Sequence, residues 1–417
     1  MLRRLFPLSG IPTQYRSNFI HLFFDIAWFG ILSGTAINFL NVYATRLGAS
    51  GVQIGLLGAV PALVSLLLSI PAGNWLTRKP VGKAVFWTAV IYRFGYLLWI
   101  PLPWLFGSQG QIWALVIVTL LMAIPLTALG LGFNALFASA VPTEWRAYVV
   151  GIRNILQAIT FIFASLGAGY LLDHLPFPVG YQVIFGIGFL GATMSTLHLY
   201  YIRTETPSAA GGTNQAPVPV EGAKPTSRDL RSILRLDILQ TGYKKVLFVM
   251  LGFHLAQFLA VPLFPLFSVN VLHLTDTNIG TGTALFYLTV LLGSTQLHRM
   301  VRKAGHHKIT GWGVIGLGIY PIGLALSATA IHYYIVSIVG GLSWALVGGA
   351  YANYLLEKIP ENDRPAHLAW YSIVVNGCML TGSLAGSLVA NSIGLVFALI
   401  LFGVLRVLAG LAILKWG

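Results

Sequence analysis

Apolar runs of about 20 residues or more recur along the whole chain, each long enough to cross the roughly 30 Å of a bilayer's hydrocarbon. They begin near Phe19, Val52, Ala84, Ile112, Tyr148, Tyr181, Val246, Ile279, Ile309, Tyr333, His367 and Ile393. That pattern predicts an all-α integral membrane protein of twelve transmembrane helices. Of the 417 residues, 56% are hydrophobic and 9% charged, whereas soluble domains carry roughly a quarter charged residues. The first run, about 26 residues long, has no small-residue cleavage site after it and reads as a retained anchor, not a signal peptide.

A net charge of +14 invites a nucleic-acid reading, but the placement of the charge argues against one. Arg3, Arg4 and Arg16 precede the first run, and Arg78, Lys79 and Lys83 follow the second. Arg203 to Lys245 fill the middle loop, and Arg299, Arg302, Lys303 and Lys308 follow the eighth run. This is the positive-inside asymmetry, and it predicts an even number of spans in an inner or plasma membrane with both termini cytoplasmic. The expected partners are the lipid bilayer, a small-molecule substrate and a proton or other coupling ion, with no nucleic acid and a monomeric state. The single cysteine, Cys378, excludes a disulfide or a cysteine metal site within one chain, and neither a cofactor nor a metal is expected.

Between the sixth and seventh runs the composition changes. Thr204–Ser227 is rich in Pro, Gly, Ala and Thr without an apolar period, and reads as a linker. Thr226 and Asp229 after it are spaced as a capping box, with Leu230, Ile233 and Leu234 on one face of a short interfacial helix. The expected organisation is a first bundle over 1–202, a cytoplasmic linker over 203–244 and a second bundle over 245–417. The halves echo each other. Pro142 stands four residues before Arg146, and Pro360 four before Arg364. Nineteen residues beyond each arginine come Ser165–Gly169 (SLGAG) and Ser383–Ser387 (SLAGS). The same order and spacing twice argue for an internal repeat, and two sets of six spans are how a parallel-repeat transporter is built.

In this organisation the chain resembles the major facilitator superfamily over essentially its full length. The family's signature after the second span runs Gly, three residues, Asp, Arg, one residue, Gly, then basic residues. Here Gly73 and Arg78 match, while Thr77 replaces the aspartate and Pro80 the second glycine. The repeat-related loop keeps Gly293 and a basic run. The resemblance implies two pseudo-symmetric six-helix bundles that rock about a central cavity.

Among the eleven acidic residues, Asp25 alone lies clearly inside a run. At 1.5 Å per residue it is about 9 Å past Phe19, where a charged Asp on a lone helix costs about 2.5–3.5 kcal/mol. Arg153 lies about 8 Å into the fifth run from the same face, and an Asp25–Arg153 pair is expected, or a relay that includes His21, one turn below Asp25. Two readings stand: a carboxylate that exchanges a proton during transport, and a permanent ion pair that fixes helix packing. Arg93, near the middle of the third run, has Tyr92, Tyr96 and Trp99 around it as cation–π partners; packing, partnership with Asp25 and contact with substrate all remain open for it. His254 and Gln257, three residues apart, share a face of the seventh run, either toward the cavity or in a helix–helix hydrogen bond. With Trp28, Gln157, Trp344 and Asn376 they outline an expected cavity for a hydrophobic or weakly polar organic molecule. The patches Gly30–Gly34 and Gly382–Gly386 suit close helix approach.

No phosphate-binding loop is present, so ATP-driven pumping is unsupported. A secondary transporter working by alternating access, proton-coupled and exporting its solute, is the favoured expectation, with a nutrient symporter as the alternative. A membrane-embedded transferase and a non-transporting pigment or scaffold protein are the remaining readings. The lone buried acid and the missing metal cluster argue against an enzyme. The sparse buried charge argues against highly charged substrates.

Overall fold

The computed structural model describes residues 13–203, 235–360 and 363–417. Arg3, Arg4, the Thr204–Ser227 linker, the interfacial helix expected around Leu230, Ile233 and Leu234, and Glu361 lie outside the described residues. A 3₁₀ turn, Leu236–Gln240, leads into the second half.

The described chain is helical throughout. Among the described residues, nine helices are long and apolar enough to span a bilayer. These are α1 (Gln14–Arg46), α2 (Gly51–Leu76), α4 (Ser108–Ala140), α5 (Thr143–His174), α6 (Val179–Tyr200), α7 (Tyr243–Asn270), α10 (Ala330–Glu357), α11 (Ala366–Ile393) and α12 (Leu395–Trp416). The other three expected spans are α3 (Val81–Trp99) and two arms of a stretch that is helical from Asp276 to Ala325. Lys83 and Arg93 keep the hydropathy of α3 down. In the long stretch Gly305, at φ +80°, separates α8 (276–304) from α9 (306–325); only a glycine enters that left-handed region without strain.

Local chemistry explains the boundaries. The Ser50 side chain accepts from the Gln53 amide while Gln53 returns the bond, a capping box that starts α2. The Thr275 and Thr329 side chains cap α8 and α10 by accepting from the amides of Asn278 and His332. In α1, residues Ser33–Ile37 form a π turn, a device that recurs at functional positions in helices.

In the first bundle α1 packs on α5 and α6, α2 on α4, and α3 on α4 and α6. In the second, α10 and α12 pack on the α8–α9 stretch, and α7 on α11 and α12. The bundles meet through α5 against α8 and α2 against α11. Adding six to each label converts one contact into the other, so the interface carries the two-fold pseudo-symmetry of the repeat. Lipid offers no hydrophobic gain for joining helices, so close packing and polar contacts hold such an interface. A Cβ placed on Gly280 would lie 2.6 Å from the Ser165 carbonyl oxygen, and one on Gly169 2.6 Å from that of Asp276. Glycine is what lets α5 and α8 touch.

Candidate functional site

Asp25 is 3% exposed and sits between α1, α3, α5 and α6. Arg153 Nη1 of α5 donates to its Oδ2 at 3.0 Å and to the Leu22 carbonyl at 2.5 Å. Ser195 of α6 donates to Oδ1 at 2.5 Å. Arg93 Nη2 of α3 approaches Oδ1 at 3.8 Å, while its Nη1 donates to Thr196 Oγ1 at 2.7 Å. Phe133 of α4 covers the Arg153 guanidinium, 4.9 Å from the ring centroid. Four helices thus converge on one carboxylate.

His21 is not part of this group. Its Nδ1 is 3.0 Å from Nδ1 of His198, and its ring stacks on Tyr201; the imidazole is taken up by the neighbouring end of α6. Tyr92 and Tyr96 bond to each other through their hydroxyls, 2.5 Å apart.

A cavity of about 960 Å³ lies between the bundles. Phe29, Ser33 and Asn38 of α1, Gln157 of α5, Tyr287 of α8 and Trp344 of α10 are among its lining residues. Asp25 looks the other way, into its own bundle, and is not among the lining residues. Trp28 is not among the lining residues: one residue is about 100° of helix rotation, and Phe29 faces the cavity while the Trp28 carbonyl packs at Gly191 of α6. His254 takes the second of its two expected forms, a helix–helix hydrogen bond: its Nε2 is 2.7 Å from the Tyr371 hydroxyl of α11. Asn376 turns back on its own helix and donates to the Ser372 carbonyl at 2.9 Å.

Toward the end opposite the chain termini the cavity is roofed by Phe161 against Tyr287, with centroids 4.1 Å apart. Beyond this roof the hydrogen bonds between the bundles gather. Arg46, at the end of α1, donates to Asp276 Oδ1 at 3.0 Å and to the Leu274 carbonyl at 2.9 Å. Tyr181 of α6 donates to the same carboxylate oxygen at 2.9 Å. The Asp173 carboxylate of α5 accepts from the amides of Asp276 and Thr277 at 2.9 and 3.0 Å. The first bundle thus grips the N-terminal turn of α8 at three points.

In the second bundle a smaller cavity of about 210 Å³ is lined by Gln257, Tyr320, Tyr333 and Arg406, among others. Arg406 on α12 is 1% exposed, and the sequence reading passed over it. The search that found Arg93, a basic residue deep inside an apolar run, would have found it.

The loop-motif residues stand apart from these sites. A Cβ on Gly73 would meet nothing within 4 Å, and Arg78 is exposed. Arg146 donates to the Ala138 carbonyl at 2.8 Å and the Val141 carbonyl at 3.2 Å, tying down the end of α4. Arg364 is the first residue of the helix that continues as α11. Among the described residues no group of His, Cys, Asp and Glu is arranged to hold a metal.

Residues 22–366 match a family described as Major Facilitator Superfamily. The chain is 24% identical over 366 residues to the cis,cis-muconate transport protein of Acinetobacter baylyi, covering 85% of this chain and 81% of that protein. It is 24% identical over 136 residues to multidrug resistance protein 2 of Bacillus subtilis, 32% of this chain and 33% of that protein. Its fold matches a bacterial homologue of the iron transporter ferroportin in an inward-facing state, with TM-score 0.70 at 15% identity over 100% of this chain and 99% of the other. Against an outward-facing state of such a homologue the TM-score is 0.59 at 14% identity, over 97% and 99%.

Proposed function

Because the chain belongs to the Major Facilitator Superfamily, we propose that it is a secondary transporter that moves a small organic solute by alternating access, in the conformation open toward its two termini. The family is one of transporters, and the chain is not an enzyme. The observation that carries the reading is the placement of the central cavity. It lies between the bundles, roofed by Phe161 and Tyr287, with the inter-bundle bonds beyond that roof. A solute would enter from the end that bears the termini, and rocking of the bundles would exchange which end is closed. The closer likeness to an inward-facing homologue than to an outward-facing one supports this assignment. With both termini cytoplasmic, as the basic loops argue, the open end faces the cytoplasm.

Proton coupling is a separate element of the proposal, and its candidate is Asp25. A proton there would weaken its hold on Arg153, Arg93 and Ser195 together, and so loosen α1 against α3, α5 and α6. For the solute, aromatic and amide linings suit an organic molecule with few charges. Export of such a compound is one form of the reading, supported by the partial likeness to a multidrug resistance protein. Uptake of an organic acid is the other, supported by the longer likeness to the cis,cis-muconate transport protein.

The test is counterflow in liposomes containing the purified protein. Preloaded solute should drive uptake of its labelled counterpart at equal pH on both sides, for at least one member of a panel of organic acids and neutral aromatics. No exchange by any member, in vesicles where the protein is folded, would reject transport. Repeating the assay with an imposed pH gradient reads coupling and direction.

A further inference from the structure

The second bundle contains a cation with no acid beside it. Arg406 is fully enclosed, and its hydrogen bonds go to backbone carbonyls alone. Nε and Nη2 reach Ala256 and Gln257 of α7 at 3.4 and 3.0 Å, and Nη1 reaches Leu317 of α9 at 3.1 Å. A guanidinium has five N–H groups, so among the described residues these bonds leave two without an acceptor. Among the described residues no carboxylate stands within ion-pair distance of it. The first bundle is built differently, since there Asp25 answers Arg153 and Arg93. A buried charge lacking a counter-ion is costly, and an ionisable residue inside the membrane points to a ligand or a pathway.

The space beside Arg406 indicates what supplies the missing charge. It is about 210 Å³ and walled by Phe264, Phe286, Tyr287, Tyr320 and Tyr333. Phe264 lies 5.8 Å from the guanidinium, ring centroid to Cζ. A cavity of about 150 Å³ holds benzene, so this one accommodates a single ring with one polar substituent. Gln257 also lines it, and its side-chain oxygen is buried with no hydrogen-bond partner among the described residues. Tyr287 and Trp344 border both this space and the central cavity, so the two adjoin.

We propose that this space is a carboxylate-binding subsite of the transport path, taking a single-ring monocarboxylate with its carboxylate on Arg406 and its ring among the aromatic walls. The inference rests on the transporter reading above and narrows its substrate class. A guanidinium serving only to tie three helices together would not need an aromatic chamber beside it that adjoins the central cavity. A carboxylate presents two oxygens in the geometry of the guanidinium fork. A neutral amide of the same shape does not.

The test uses the full-length protein in nanodiscs and equilibrium dialysis with labelled benzoate and its neutral isostere benzamide. Benzoate should bind saturably and benzamide about tenfold more weakly or worse. The R406Q variant should lose this preference, and R406K, which keeps the charge without the fork, should retain part of it. Absent benzoate binding, or equal binding of benzoate and benzamide by the unmodified protein, overturns the proposal without recourse to any variant. In variants that melt like the parent, unchanged benzoate affinity of R406Q, or equal loss of both ligands, also overturns it. Counterflow separates the two layers of the argument. Benzoate preference without exchange of any solute leaves the subsite standing and rejects transport, whereas exchange of neutral solutes without carboxylate preference does the reverse.

Discussion

Asp173 accepts the backbone amide of Asp276 at 2.9 Å, so a carboxylate at the end of α5 caps the first turn of α8 in the other bundle. An acid at a helix N-terminus satisfies amides that have no partner within the helix and meets the positive end of its dipole. Such a cap is worth about 0.5–2 kcal/mol. That magnitude suits a gate, because a bond that must break in every transport cycle cannot be strong. Replacing Asp173 by Ala should therefore move the population toward the state open at this end by about twofold to thirtyfold. Spin labels on His174 and Asn270, on opposite sides of the gate, report it by distance measurement. An unchanged distance distribution would remove Asp173 from the gate.

The glycines at the same interface give a steric version of the experiment. A Cβ at Gly280 would stand 2.6 Å from the Ser165 carbonyl oxygen, well inside contact distance, so Gly280→Val should wedge α5 from α8. The expected result is counterflow reduced by about tenfold or more in protein that still folds, since the wedge costs only the closed state. Gly73→Ala, where the added carbon meets nothing within 4 Å, serves as the silent control.

The charge cluster around Asp25 makes two predictions with different readouts. Arg153→Ala strands a buried carboxylate and should lower stability by about 3–5 kcal/mol, while Ser195→Ala removes one hydrogen bond to a charged group and should cost about 1.5–3 kcal/mol. Thermal melting in detergent ranks the two. Asp25→Asn addresses coupling. If Asp25 carries the proton, gradient-driven uptake is lost while counterflow at equal pH persists. If both fall together, the cluster holds the bundle and does no more.

On the aqueous side, Arg235 donates to both carboxylate oxygens of Asp237 and to those of Asp363. The hydrogen bond from Arg235 holds the Asp237 carboxyl below its ordinary value of 3.8. A lowered value means that this contribution is fully present above the ordinary carboxylate range and is lost only as the pH falls through the depressed value. Amide exchange over residues 236–240, corrected for intrinsic rates, should therefore be flat from about pH 8 to 5. Loss of protection within that range would contradict the assignment.

Much of this molecule could be read from the order of its residues. The twelve spans follow from run length and from the solvent they imply, including α3, whose two basic residues leave it outside the nine apolar spans. The contact between Asp25 and Arg153 was readable from depth alone, because two helices entering from one face bring residues at similar depth to the same level. Rotation was harder to read. Trp28 and Phe29 are chemically alike, and which of them faces the cavity depends on how α1 beds against α6. Asp276 reads as one more acid at a span end until α5 and α6 are folded against it. Arg406 hides for a different reason. One arginine barely alters the average of a run so apolar, and α12 still has the highest mean hydropathy of the nine apolar spans, 2.6.

The π turn at Ser33–Ile37 has a mechanical consequence. Below it α1 presents Asp25 to the interior of its own bundle, and above it the same helix carries Arg46 to Asp276. A π turn holds one residue more than the α turn it interrupts, so drawing that residue into or out of the wide turn swivels one arm against the other by about 100°. The helix is in effect a shaft with a coupling in the middle, and torque applied at the carboxylate reaches the far latch only as faithfully as those five residues keep their pitch.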